Sequence, residues 1–411
     1  MINKPVSFSI IRSNVLEWVE SVRDKNTKYG RYRFHNQSPV ILYASLFASL
    51  IRELFDDLNS ISYQQRKEWI EYIQSAQNPV DGFFYDENVE YTNNTDPRFN
   101  EYRRMNLTYF CIHALDVLNA VPKFDLVFMK QFDSEEKLNK WLSDSICFDD
   151  PWKDSNWIMW ILSLMFFQIK VSGKKDYLNL INHILDWLDN AQDPNTGIWG
   201  TDKGSSLFYG VAAAYHFFMF YYALDRPINY TDRILDSTLS VQLRDGFFAP
   251  NGGGACVDLD AIDILVNVNV GVQNSYRSMD IKQALERSFF ALLSQQNNDG
   301  GFAEAKKCNL FSIFSNIIDL SLSFSKHKDP KTTIFHVKSV IKSSVIPKYR
   351  LTYVGIRGTD YLLNESNMWA SWFRPLSLIL INEKLDNQFF GEISYNYRKM
   401  PGLGFINKKL D

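Results

Sequence analysis

Along the chain, stretches with apolar residues at every third or fourth position alternate with stretches that are apolar on nearly all sides. The first kind predicts helices with one polar face, and the second predicts helices buried all round. They fall into pairs: 63–77 with 103–119, 135–145 with 153–170, and 175–192 with 204–224, followed by 229–243 with 258–275, 279–297 with 309–324, and 330–345 with 365–384. Polar first members and apolar second members predict two concentric rings, an all-α (α/α)6 toroid of helix-hairpin repeats closed into a single barrel. No period-two alternation suggests strands, and no Pro/Gly/Ser-rich linker separates two domains. The expected organisation is an N-terminal helical hairpin packing on the barrel (1–60), the toroid (61–385) and a C-terminal cap segment (386–411).

The turns between paired helices repeat. Gln77-Asn-Pro-Val-Asp-Gly-Phe-Phe, Gln192-Asp-Pro-Asn-Thr-Gly-Ile-Trp, Gln242-Leu-Arg-Asp-Gly-Phe-Phe and Gln296-Asn-Asn-Asp-Gly-Gly-Phe each follow a polar-faced helix. Their glycines, at 82, 197, 246 and 300, lie 115, 49 and 54 residues apart. A period of ~50 fits one helix pair per repeat. The first gap is two periods, which predicts a degenerate repeat around Asp149-Asp-Pro-Trp-Lys-Asp-Ser-Asn. In each turn, glycine supplies a left-handed residue and the aromatic tucks back to pin the chain; Phe83, Trp199, Phe247 and Phe302 are the expected pins.

Composition narrows the function classes. With 44 Lys+Arg against 47 Asp+Glu, the net charge is −3, and no basic footprint for nucleic acid exists. Four scattered cysteines form no disulfide framework, so a reducing, cytoplasmic setting is expected. The most apolar windows, 157–167 and 208–222, read as buried helices, and no membrane span is expected. The surplus of 31 Phe, 21 Tyr and 10 Trp suggests an aromatic-lined pocket, and the run from Phe208 to Tyr222 is expected to line it.

The densest polar cluster is Asn251-Gly-Gly-Gly-Ala-Cys-Val-Asp-Leu-Asp-Ala-Ile-Asp263. Asp260 and Asp263, three apart, share one face of an inner helix that begins near Asp258. The bland reading makes Asp258 an N-cap and the other two first-turn charges. The chemical reading gathers three carboxylates at one mouth of a barrel, where mutual repulsion raises at least one into general-acid range.

These residues resemble the squalene cyclase and protein prenyltransferase superfamily, whose repeats carry Gln-x3-Asp-Gly-x-Phe/Trp. Asp245-Gly-Phe-Phe-Ala-Pro-Asn-Gly-Gly-Gly-Ala-Cys-Val-Asp resembles a repeat of protein prenyltransferase β subunits. Class II terpene cyclases carry Asp-x-Asp-Asp at such a helix start, and the middle Asp protonates an alkene or epoxide. The resemblance lays that motif on Asp258-Leu259-Asp260-Ala261, making Asp260 the proton donor with Asp258 and Asp263 tuning it. Two departures stand out: Ala261 replaces the last Asp, and the prenyltransferase zinc pair Asp-x-Cys is reversed in Cys256-Val-Asp258. No metal ligand set and no cofactor are therefore expected, since no motif supports Mg or Zn.

Further candidates for binding lie on inner helices: Asn106 with His113, and Tyr209 with His216, each pair two turns apart on one face. Trp157 and Trp160, and Trp369 and Trp372, recur near inner-helix starts, and Arg104 precedes the first apolar run. Three functions compete. The first is an isoprenoid-processing enzyme of the isomerase or transferase kind, acting on a prenyl chain. The second is a carbohydrate-active (α/α)6 enzyme acting on an oligosaccharide, a hydrolase, lyase or epimerase of surface-polysaccharide metabolism. The third is a helical-repeat scaffold without catalysis. A small-molecule substrate is expected under the first two.

Overall fold

The computed structural model describes residues 7–86, 97–250, 252–268, 276–307 and 356–406, with short pieces of 313–351. Its helices are α1 (Phe8–Ser21), α2 (Leu42–Leu54), α3 (Tyr63–Ser75), α4 (Pro97–Val117), α5 (Glu135–Ser145), α6 (Pro151–Ser172), α7 (Asp176–Ala191), α8 (Leu207–Ala223), α9 (Thr231–Ser240), α10 (Ala255–Asn267), α11 (Ser278–Leu293) and α12 (Met368–Lys384). A two-residue antiparallel ladder, β1 (Arg350–Leu351) with β2 (Tyr361–Leu362), is the only sheet among the described residues. The even-numbered helices pack each on the next, α2 through α12, and α12 returns to α2. The odd-numbered helices form the outer layer. The fold is an all-α toroid.

Patterning explains the two layers. On α7 the buried side chains are Tyr177, Leu180, Ile181, Ile184, Leu185 and Leu188, one stripe at spacings of three and four. On α8 nearly every residue from Leu207 to Tyr221 is buried. Starts are marked chemically: Ser62 and Gln65 make a capping box on α3, Asp150 caps α6 with Pro151 at its first position, and Asn367 accepts from Ala370 N (2.9 Å) on α12.

The repeat signature is a hydrogen-bonding device. The leading glutamine donates from Nε2 to the carbonyl of the glycine: Gln77 to Gly82 (3.1 Å), Gln192 to Gly197 (2.8 Å) and Gln296 to Gly300 (3.0 Å). The residue before the glycine receives an amide two positions on, as in Phe83 N to Asp81 Oδ1 (2.9 Å) and Gly301 N to Asp299 Oδ1 (3.1 Å). The glycines themselves have positive φ and lie against the next outer element. A Cβ at Gly82 would meet Asp125 O at 2.2 Å, and one at Gly300 would meet Asn14 O of α1 at 2.3 Å.

The aromatic two residues after the glycine is the buried pin, and its amide is held by an inner helix. Tyr32 N donates to Ser45 Oγ, Phe84 N to Thr108 Oγ1, Phe148 N to Asp154 Oδ2, Phe248 N to Asp258 Oδ1 and Phe302 N to Ser371 Oγ. At the matching place beside Trp199 stands Gly210, where a Cβ would press on Ile198 at 2.5 Å. Ser45, Thr108, Asp154, Gly210, Asp258 and Ser371 are thus one position repeated six times. Two expected pins, Phe83 and Phe247, are shifted by one: Phe84 and Phe248 pair with the turn. Asp154 with Phe148 fills the degenerate repeat expected near residue 149.

Two expectations about the ring differ from the structure. The N-terminal hairpin does not pack on the barrel from outside; α2 stands between α12 and α4 as an inner stave, with Tyr32 and Ser45 as its pin. And α11 packs on α12 as a pair, although some 75 residues separate them. The expected helices over 309–324 and 330–345 lie mostly outside the described residues. A long insertion within one pair cannot be told from an extra pair by periodicity alone.

The C-terminal segment is not a lid on the barrel end. Asn396 N bonds Leu54 O at the end of α2, and the chain then runs inward as a loop, Arg398 bridging to Phe405. Pro401 O accepts from Ser163 Oγ (2.6 Å), Leu403 N donates to Tyr109 Oη (2.7 Å) and Gly404 N donates to Tyr215 Oη (3.2 Å). These partners belong to α6, α4 and α8, so the loop occupies the lumen.

Candidate active site

Counted from the repeated pinning position, Asp258 is the structural member on α10. Its Oδ1 accepts from Phe248 N (2.7 Å) and Ala249 N (3.2 Å), and its Oδ2 from Gly254 N (3.1 Å). Arg374 Nη1 of α12 completes the set at 2.5 Å, while its Nη2 donates to Glu304 O. Both members of this ion pair are buried. Gly253 (φ +104) lets the loop pass over Arg374, since a Cβ there would sit 2.8 Å from Nη2. Asp258 therefore builds the helix start and is not left over for chemistry. Gly254, not Asp258, is the N-cap of α10.

Two residues further on, Asp260 differs from Asp258 in kind. It is 0 % exposed, and neither carboxyl oxygen has a hydrogen-bond partner among the described residues. Burial, then Asp263 and Asp258, push its carboxyl well above the usual range, which favours the neutral acid. Asp263, one turn deeper, is also buried. Its pKa is pushed up to about 7 by burial, against the downward pull of Asn267, whose Nδ2 donates to Oδ2 (3.0 Å), and of Tyr222. Tyr215, between these acids and the C-terminal loop, has its phenol raised by burial, then by Asp263.

Aromatic rings link the inner helices around the lumen. Tyr43 of α2 stacks on Trp369 of α12 (6.3 Å) and meets Phe110 of α4 edge-on (5.5 Å). Trp160 of α6 meets Tyr102 of α4 at 4.7 Å and Tyr109 at 6.5 Å. Trp372 packs against Phe47 (5.5 Å) and under Gly404. The run on α8 expected to line the pocket mostly does not. Phe217 and Phe218 pack on Trp199, Phe220 on Phe166, and Tyr221 donates to Asp189 of α7 (2.7 Å). An apolar helix offers aromatics to every neighbour, and only Tyr215 among these meets the loop in the lumen.

The other candidates separate by place. His216 shares a hydrogen bond with Ser155 Oγ (2.9 Å) and lies on Trp152; burial drives its pKa down to about 3, so it is a neutral core histidine. His113 bonds Ser163 Oγ (2.9 Å) and touches Gly402, so the loop covers it. Arg104 lies over Phe83 (4.5 Å) and donates to Tyr85 Oη (3.2 Å), on the turn, not on a ligand. Asn106 is buried, and its Oδ1 lacks a partner among the described residues. Trp157 and Tyr209 are half-buried, Trp157 edge-on to Trp160, and Cys256 is buried one turn before Asp260. Sequence reasoning missed the loop 398–405 and Arg374 as the partner of Asp258; neither contact is local in the chain.

A zinc site on Cys256 and Asp258 does not fit. The Asp258 oxygens are taken by three amides and a guanidinium, and no group of three His, Cys, Asp or Glu converges among the described residues. No helix among the described residues is long and apolar enough to cross a membrane.

The family profile of the prenyltransferase alpha-alpha toroid domain matches residues 3–102 and 84–310. The chain belongs to the prenyltransferase alpha-alpha toroid family. No curated protein matches this family member. Among solved structures, the toroid resembles a type II terpene cyclase from Scytonema bound to geranylgeranyl dihydroxybenzoate, at 13 % identity and a TM-score of 0.44, over 92 % of this chain and 97 % of that one. A polysaccharide lyase is similar at 13 % identity and 0.43, over 94 % and 99 %. A family 88 glycosyl hydrolase from Bacteroides vulgatus follows at 13 % and 0.40, over 72 % and 89 %. At such scores none of the three bears on chemistry.

Proposed function

We propose that this toroid is an isoprenoid-processing enzyme in which Asp260 is the general acid. One observation carries the reading: a fully buried carboxyl, pushed upward by burial and by Asp263, with no hydrogen-bond partner among the described residues to orient or consume its proton. Such an acid donates its proton to a weak base such as an alkene or epoxide oxygen, and is left as the carboxylate. The cation formed on the substrate is then met by ring faces, which attract positive charge through their quadrupole. Asp258 and its Arg374 partner hold the helix start that aims Asp260. Asp263, beside it, adds a second negative charge when ionised, which keeps the Asp260 proton in place until transfer.

A sugar-processing reading needs two carboxyl groups across a glycosidic bond. Asp260 and Asp263 project from adjacent turns of one helix, which suits it less well. The test is turnover of prenyl diphosphates, polyprenols and prenylated aromatics by the purified full chain, followed by mass spectrometry. Conversion of a prenyl substrate is expected, and Asp260→Asn should lower it at least ~100-fold with an unchanged circular dichroism spectrum. Undiminished turnover in Asp260→Asn ends the general-acid role; conversion of an oligosaccharide and of no prenyl compound ends the isoprenoid reading.

A further inference from the structure

The lumen is closed around Asp260. Its carboxyl oxygens have no exposed surface, and Phe47, Tyr43, Phe110, Trp160 and Tyr109 are fully buried. Within the lumen, one described element is not a stave of the ring: the loop Arg398–Phe405. Counted from the repeated pinning position, Asp260 is two residues along its helix, and Asp263 five. Tyr109 is one residue along and Tyr215 five, so the Leu403 and Gly404 amides that bond them lie at the depth of the acids. The loop enters from the opposite rim to the pinned turns, beside the end of α2.

The loop is held by the burial of Met400 and Leu403 in the core and by backbone contacts to the inner helices. Three hydrogen bonds join its backbone to lumen hydroxyls. Two left-handed glycines allow the close fit: a Cβ at Gly402 (φ +157) would meet His113 Cε1 at 2.5 Å, and one at Gly404 (φ +79) would meet Trp372 Cζ2 at 2.6 Å. Against this, the loop carries a buried arginine into the barrel. Arg398 donates from Nη1 to Leu403 O (2.6 Å) and lies near Tyr109 and Glu53, while its Nε and Nη2 are not fully satisfied among the described residues, and burial lowers its pKa to about 10. Burying an incompletely bonded guanidinium is costly, and release into water removes that cost.

We propose that the loop 398–405 is a displaceable plug: it takes the lumen hydroxyls in the resting state, and its withdrawal opens the path to Asp260. The inference rests on the reading of Asp260 as the reacting group, but access and turnover are measured separately. The glycines make the plug fit, and Arg398 keeps it from fitting too well.

The test uses the full chain and Gly404→Ala, whose methyl cannot be seated against Trp372. Dicyclohexylcarbodiimide, an apolar reagent for protonated carboxyls, adds to the carboxyl without a leaving group and marks Asp260 by peptide mass. Labelling of Asp260 is expected to rise at least tenfold in Gly404→Ala, with Asp260→Asn as the blank. Hydrogen exchange of 398–405 should rise in the same variant while α4 and α8 keep their protection. Equal labelling of both proteins with the loop released overturns the proposal, and so does a loop whose exchange is unchanged. If Gly404→Ala fails to fold, native hydrogen exchange decides: amides of 402–404 should exchange at least ~100-fold faster than those of α8, and equal rates overturn the plug. Labelling that rises without any turnover of prenyl substrates keeps the plug and removes the isoprenoid reading.

Discussion

Asp258, Asp260 and Asp263 share a residue type and a helix, yet their surroundings give them three states. Asp258 is ligated by three amides and Arg374, Asp260 is bare, and Asp263 is partly satisfied by Asn267. Removing one partner of a buried ion pair leaves the other uncompensated, so Arg374→Met should destabilise the protein by about 3–5 kcal/mol in urea unfolding. The pH dependence follows from Asp263. An unfolded aspartate titrates near ~3.9, while the folded one is pushed up to about 7. Between those values the native state binds the extra proton, so the stability contribution is whole below the lower value and is lost as pH rises through the upper one. The native melting temperature should therefore fall between pH 4 and 7, and Asp263→Asn should flatten that slope in a series of thermal melts. Asp260→Asn should likewise lessen the fall of stability with rising pH, because burial raises that carboxyl too.

At the scale of the element, the turn is the unit that the amino-acid pattern reveals best. Its glutamine, acid, glycine and aromatic act on one another within about eight residues, so the chemistry is readable from spacing. Gly300→Ala places a side chain at φ +96 and against Asn14 O; the backbone conformation alone costs about 1–2 kcal/mol, and chemical denaturation should show at least that loss. Gln192→Ala, which removes the donor to Gly197 O and Asn229 O, should cost about 1 kcal/mol by the same measurement. Adjacent aromatics blurred the register: Phe83-Phe84 and Phe247-Phe248 offer two buried rings each, and only the hydrogen bonds to Thr108 and Asp258 show which amide the inner helix holds. The first repeat escaped notice because Arg23 stands where the others carry glutamine, though Gly30 and Tyr32 keep the spacing. At the site, Asp260 was legible as a candidate because helix periodicity puts it inward. Its distinction from Asp258 was not, because that depends on Arg374, 116 residues away.

At the scale of the whole molecule, closure decides how stability is shared. α12 packs on α2, and the Gly300 turn lies on α1, so both layers return to their start. Hydrogen exchange should find core amides of α2 and α12 as well protected as those of α6 and α8; an open array would fray first at its terminal helices. The ring also fixes how such a chain can vary. An open stack grows or shrinks by a whole repeat at its end, but a closed ring gains or loses a stave only by changing the packing of every neighbour. Change is confined to connections between staves, as in the stretch joining α11 to α12, and to single side chains at equivalent places on the six staves. At the pinning place five of those side chains are hydroxyls or carboxylates of nearly interchangeable duty, and two places along, only α10 carries an acid. One difference among six equivalent places thus separates a side chain that holds a turn from a buried carboxyl with no hydrogen-bond partner among the described residues.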